Sequence, residues 1–125
     1  MLADCPIQAT LPAVDLERAK RFYAEKLGLT PESEWPDGLL YRCGPNTTFL
    51  VFPSQGVALG VSTQMAWITN DIEGEVTALK ARGVIFEEYD MPGLKTINSV
   101  ATLAQGKGAW FKDSEGNLLA VDQLF

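Results

Sequence analysis

Gln8 and Asp15 recur as Gln64 and Asp71 at a common spacing of 56 residues. Each glutamine sits in an extended run, and each aspartate precedes an apolar helical stripe. A duplicated unit of this size constrains the fold strongly, because neither copy can bury its apolar face alone. In the first copy, residues 7–14 (IQATLPAV) set Ile7, Ala9 and Leu11 against Gln8, Thr10 and Pro12, the alternation of a strand with one buried face. Asp15 is placed to cap a helix whose stripe is Leu16, Ala19, Phe22, Tyr23 and Leu27, with Glu17 and Arg21 paired on the wet side and Gly28 as the stop. A loop holding Pro31 and Pro36 follows, and then three extended runs, LLYRCG, TFLVFP and VALGVS. The second copy runs from the strand after Gln64 through the cap at Asp71, the stripe Ile72, Val76 and Leu79, and the stop at Gly83. It continues with VIFEE, a long connection, GAWFKD and NLLAVDQ. The expected fold is α+β, a single domain of two βαβββ modules (about 5–62 and 63–125), with sheets facing each other or curved around a shared cavity.

The chain ends in a hairpin. Asp113 to Asn117 reads as a tight turn with Gly116 free to take positive φ, and the last strand alternates Leu119 and Val121 against Leu118, Ala120 and Asp122.

With 125 residues the chain can build one sizeable core. It has no apolar run of membrane-spanning length and no basic-then-apolar leader pattern, so a cytoplasmic protein without a membrane partner is expected. The formal charge of −6, with no basic cluster, argues against nucleic acid and mildly favours cationic ligands. There is no histidine, so the commonest general base and the commonest metal ligand are both missing. Cys5 and Cys43 form no paired motif, and both are expected to be small buried apolar side chains.

The strand entering VDLERAKRFYAEKLGL, the matching TNDIEGEVTALKARGV and the closing FKDSEGNLLAV resemble the vicinal oxygen chelate superfamily over essentially the whole chain. That group includes glyoxalase I, extradiol dioxygenases and the fosfomycin and bleomycin resistance proteins. The resemblance is specific for fold and poor for activity. In metal-dependent members, ligands come from the first and last strands of each module, and these positions map here to Gln8, Gly60, Gln64 and Ala120. Gln8 matches a ligand that glyoxalase I enzymes can use. Gln64 stands where histidine is usual, and Gly60 and Ala120 stand where a glutamate is typical. Two neutral amides neither offset a divalent charge nor bind it as imidazole does, so no metal and no cofactor is expected. Asp122, two residues beyond Ala120 on the same face, is the one carboxylate in reach of that site.

Removing side chains at Gly60 and Ala120 leaves room for a small organic ligand between the glutamines. By the period of two, Thr10, Pro12, Ala66 and Ile68 share the cavity face, whereas Trp67 belongs to the core. Trp110 and Tyr41 are candidate wall residues of undetermined orientation. The long connection 90–107 carries Met91, Leu94, Ile97, Val100 and Leu103 and is expected to dock over the pocket mouth or a partner subunit. Glu87 and Glu88 are adjacent on a strand and face opposite ways. The resemblance implies a homodimer that binds a small molecule, as bleomycin-type resistance proteins do. A glyoxalase-like lyase, isomerase or dioxygenase with an atypical site, and an interaction domain with a closed cavity, remain as alternatives.

Overall fold

A computed structural model describes residues 1–56 and 58–125. After a short 3-10 turn at Leu2–Asp4, the first module comprises β1 (Ala9–Ala13), α1 (Leu16–Leu27), β2 (Ser33–Trp35), β3 (Gly38–Cys43) and β4 (Thr47–Pro53). The second comprises β5 (Met65–Ile68), α2 (Ile72–Ala81), β6 (Asp90–Met91), β7 (Leu94–Ile97), β8 (Val100–Thr102), β9 (Gly106–Lys112) and β10 (Leu118–Leu124). The sheets have the orders β1-β4-β3-β2 and β5-β10-β9-β8-β7-β6. In each module the first strand lies parallel to the last, β1 on β4 and β5 on β10, and the other neighbours are antiparallel. The duplicated α+β architecture expected from the repeat is present.

The helices begin and end for the expected reasons. The Asp15 carboxylate accepts from Arg18 N, and Gly28 closes α1 in the left-handed conformation (φ 70). The Asp71 side chain accepts from Gly74 N, and Gly83 (φ 95) follows the cap at Arg82.

The helix-side faces of both sheets meet in one core. Leu11, Leu39, Tyr41, Phe49 and Val51 from the first sheet join Ala109, Phe111, Leu119 and Val121 from the second, with Tyr23 of α1 and Ile72 and Val76 of α2. Aromatic rings bridge the modules: Phe49 meets Trp67 edge-on at 5.9 Å, and Trp67 stacks on Phe111 at 6.3 Å.

A buried polar clasp adds to this. Asp113 Oδ1 accepts from the Glu115 and Asn117 amides, and Oδ2 accepts from Tyr23 Oη (2.8 Å) and Asn117 Nδ2 (2.8 Å). Asn117 Nδ2 also donates to Pro12 O at 2.9 Å. The Arg18 guanidinium donates twice to the Glu115 carboxylate, at 2.7 and 3.0 Å, and Asp15 N adds a third bond at 2.9 Å. The β9–β10 turn is thereby tied to both the start and the middle of α1.

Several expectations are corrected. The first strand starts at Ala9, and Ile7 is 93% exposed because the chain has not yet joined β4. Residues 58–62 of the run VALGVS form no strand, and Val57 lies outside the described residues. The third hairpin strand of module one is instead β2, in the Pro-flanked stretch read as a loop; Ser33 pairs with Leu40 and Trp35 with Gly38. VIFEE reaches β9 through a single bridge, Phe86 to Phe111, although Val84 and Phe86 are buried and Ile85 is exposed, as alternation demands. The connection 90–107 is not a loop. It is a meander, β6 to β8, that widens the second sheet, turning at Gly93 (φ 80) and at Asn98 and Ser99 (φ 52 and 73). Two consecutive positive φ values are the signature of the hairpin turn whose twist matches that of its strands. Cys5 is exposed beyond the sheet and Cys43 only half-buried.

Among the described residues, Tyr41 Oη is the one buried side-chain polar atom with no hydrogen-bond partner. Burial, with a smaller contribution from Glu34, pushes that phenol up to about 12. The Tyr41 ring stacks on Phe49 at 4.9 Å, so Tyr41→Phe retains the packing and removes only an unsatisfied hydroxyl. The variant is expected to be more stable by about 1 kcal/mol in urea unfolding, and a loss of stability would show that the hydroxyl has a partner in solution.

Candidate functional site

Because the core occupies the helix side of both sheets, the opposite faces point outward. On the first sheet this face carries Gln8, Thr10, Pro12, Leu40, Arg42, Thr48, Leu50 and Phe52. Gln8 lies just ahead of β1 and donates its Nε2 to Thr48 Oγ1 at 2.9 Å. Thr10 is exposed and pairs with Leu50. On the second sheet the open face carries Ala66, Ile68, Trp110, Ala120 and Asp122, with Ala120 between Ala66 and Trp110, and Asp122 between Ile68 and Gly108.

The paired registers identify the equivalent positions. Thr10 with Leu50 in module one corresponds to Ala66 with Ala120 in module two. The counterpart of Ala120 is therefore Leu50, not Gly60. Gly60 lies in the linker with φ 67; a Cβ there would come within 2.9 Å of Gly116 O and 3.0 Å of the Lys112 side chain. Its lack of a side chain serves a close approach to the β9–β10 turn. The last strand of the first module is β4, not VALGVS.

Gln64 is equally committed. Its Nε2 donates to Asn117 Oδ1 at 2.9 Å and its Oε1 accepts from Leu118 N at 3.2 Å, so both ends of the amide extend the polar clasp. Tyr41 shares a strand face with Leu39 and lies fully buried in the core, away from the open face. Of the residues singled out from sequence, the structure brings together Trp110, Ala120 and Asp122. They line a hollow of about 230 Å³ with Thr63, Leu103, Gln105, Gly106, Lys107 and Leu124. A wider cleft of about 440 Å³ opens where the modules meet, lined by Arg42, Cys43, Trp67 and Glu75 among others, and holds none of the wall residues named above except Ile68.

The hollow is well ordered. Trp110 Nε1 donates to Thr63 Oγ1 at 3.1 Å, and Tyr89 meets the indole edge-on at 5.7 Å. Burial raises the Asp122 carboxyl above the ordinary aspartate value. Glu87 and Glu88 are separate, as alternation requires: Glu88 accepts from Thr96 and Ser99 in the meander, while Glu87 lies 3.7 Å from Lys112.

The donor set does not suit a divalent cation. The four positions that the resemblance marks for metal ligands hold Gln8, Leu50, Gln64 and Ala120; Gln64 is hydrogen-bonded at both ends of its amide and Gln8 at its Nε2. Among the described residues no three His, Cys, Asp or Glu side chains cluster as a metal site.

No family model matches the sequence, and no curated protein matches it. Solved structures do. TnmS3, an antibiotic binding protein from a Streptomyces species, superposes with TM-score 0.71 at 23% identity over 100% of both chains. A glyoxalase/bleomycin resistance protein/dioxygenase from Nocardioides gives 0.71 at 20% identity, over 98% of this chain and 85% of that one. Lactoylglutathione lyase from Agrobacterium tumefaciens gives 0.65 at 21% identity, over 96% and 93%. The fold is thus that of the glyoxalase/bleomycin resistance protein/dioxygenase structures, the vicinal oxygen chelate fold. Proteins named for binding and for catalysis share it, so fold alone does not choose between them.

Proposed function

We propose that the protein is a cytoplasmic, metal-free, small-molecule-binding protein of the glyoxalase/bleomycin-resistance type, a single two-module domain that sequesters a drug or metabolite and works as a homodimer. The observation that carries this reading is the pair of outward sheet faces, which turn away from the core and carry Leu50 and Ala120 where acids would complete a metal site. The antibiotic-binding neighbour supports it. The core fills the space between the sheets of one chain, so a second copy is what would close each open face into a pocket. The exposed apolar side chains agree: Ile68 is 63% and Leu124 60% exposed. Gln8 and Thr10 would then contribute from the first-sheet wall, and Ala66, Trp110, Ala120 and Asp122 from the second. No helix of the described residues is long and apolar enough to cross a bilayer.

The test is a thermal-melt screen of small organic compounds, with and without a chelator, beside sedimentation equilibrium. A ligand at about 100 times its dissociation constant stabilises by about 2.7 kcal/mol, and for a chain of this size that raises Tm by several degrees. The expected result is a dimer that some compound class stabilises equally in chelator. A monomer that responds only to divalent metals would overturn the reading.

A further inference from the structure

We propose that the hollow beside Trp110 is a subsite for the protonated amine of the ligand, with Asp122 as its counter-ion and the Trp110 indole as its aromatic wall. This rests on the small-molecule reading above and adds the chemical class of the guest. Three features of the hollow support it. First, Asp122 makes no salt bridge and its side chain accepts no hydrogen bond among the described residues, although it sits partly buried in the second half of β10. The other charged group in the hollow, Lys107, is engaged elsewhere, its Nζ lying 2.9 Å from Glu73 Oε1. An uncompensated, partly desolvated carboxylate favours an incoming cation over a neutral or anionic one.

Second, Gly108 stands between the carboxylate and the indole. A Cβ built there would lie 3.0 Å from Asp122 Oδ1 and 3.1 Å from the edge of the Trp110 ring. Any larger residue would crowd this slot, and glycine leaves it open so that an ammonium can reach the Asp122 carboxylate past the ring edge. Third, the indole is held in place before any ligand arrives, by Thr63 Oγ1 on its N–H and by the edge-on ring of Tyr89. A fixed aromatic wall offers the apolar part of the ligand a surface that needs no further ordering. Ala120, nearly fully buried beside Trp110, keeps the floor of the hollow apolar.

The experiment is an NMR titration of the protein that follows the Trp110 indole N–H, assigned with Trp110→Phe, against three probes. The probes are 2-phenylethylammonium, 2-phenylethanol and 3-phenylpropionate, matched in ring and differing in charge. The ammonium is expected to shift that resonance saturably and to bind about tenfold more tightly than either comparator. Asp122→Asn is expected to remove the preference. Gly108→Ala is expected to abolish binding with its melting curve retained; if that variant does not fold, Asp122→Asn decides. Equal binding of the three probes, or an unchanged preference in Asp122→Asn, would overturn the counter-ion inference and leave the small-molecule reading standing. That broader reading fails on a separate result, when no compound of any charge stabilises the protein in the melt screen.

Discussion

Asp113→Ala is expected to lower the unfolding free energy by about 3–4 kcal/mol. The two Asp113 carboxylate oxygens receive four hydrogen bonds from buried donors, namely the Glu115 and Asn117 amides, Tyr23 Oη and Asn117 Nδ2. Truncation leaves those donors facing a methyl group. Of the four, only the Asn117 side chain keeps a second acceptor, Pro12 O. Each unsatisfied buried donor costs about 1–3 kcal/mol, with partial relief from entering water. Tyr23→Phe removes one of the four bonds, so a loss of about 1 kcal/mol is expected. Urea unfolding of the two variants beside wild type measures both. A loss below about 1 kcal/mol for Asp113→Ala would mean that the turn is not what joins it to α1.

The second large effect is a loss of stability in acid, traced to Glu115. Burial opposes the charge on this carboxyl, but the Arg18 hydrogen bonds, the Asp15 amide and the Ser114 hydroxyl outweigh burial and hold the group down at about 2. An unfolded glutamate titrates near ~4.3. The folded value is the depressed one, so the stabilisation is complete above the unfolded value and disappears as pH falls from about 5 towards 2. The shift corresponds to about 2–3 kcal/mol, taken toward the low side because the Arg18 side chain is 45% exposed and its charge is screened by water. In Glu115→Gln this part of the acid dependence should vanish, and the difference from wild type should shrink steadily below pH 5. Parallel curves for the two proteins between pH 5 and 2.5 would contradict the assignment.

The sequence disclosed the parts of this fold that depend on local chemistry. Asp15 and Asp71 declared the helix starts, Gly28 and Gly83 their ends, and the turn at Asp113–Asn117 announced the final hairpin. The repeat then placed the two first strands in equivalent positions. Tertiary pairing was harder to read. β2 is three residues beside Pro36 and gains its strand character from β3 alone, so its own residues carried little signal. VALGVS, rich in branched residues, looked more like a strand and displaced it. That one exchange moved the counterpart of Ala120 from Leu50 to Gly60. The meander was missed because its strands are two to four residues long, although Pro92-Gly93 and Asn98-Ser99 were readable as turns.

Legibility of the site followed the same division. Period two identified the face that holds Ala120 and Asp122 and placed Trp67 in the core. It said nothing of what each side chain grips. Gln64 was legible as a polar residue at a wall position, but its capture by Asn117 and Leu118 N depends on a turn 53 residues away. Gly108 and Thr63 were overlooked because a glycine slot and an indole acceptor acquire meaning only when β9, β10 and the linker are side by side.

If the wall of this fold recognises an organic guest without a metal ion, the protein as purified holds no stoichiometric metal. Elemental analysis of untagged protein, purified without chelator, tests it most directly. Far less than one equivalent of zinc, nickel, iron or manganese per chain is expected. Near-stoichiometric occupancy by any of them, lost on replacing Gln8 or Asp122, would contradict it.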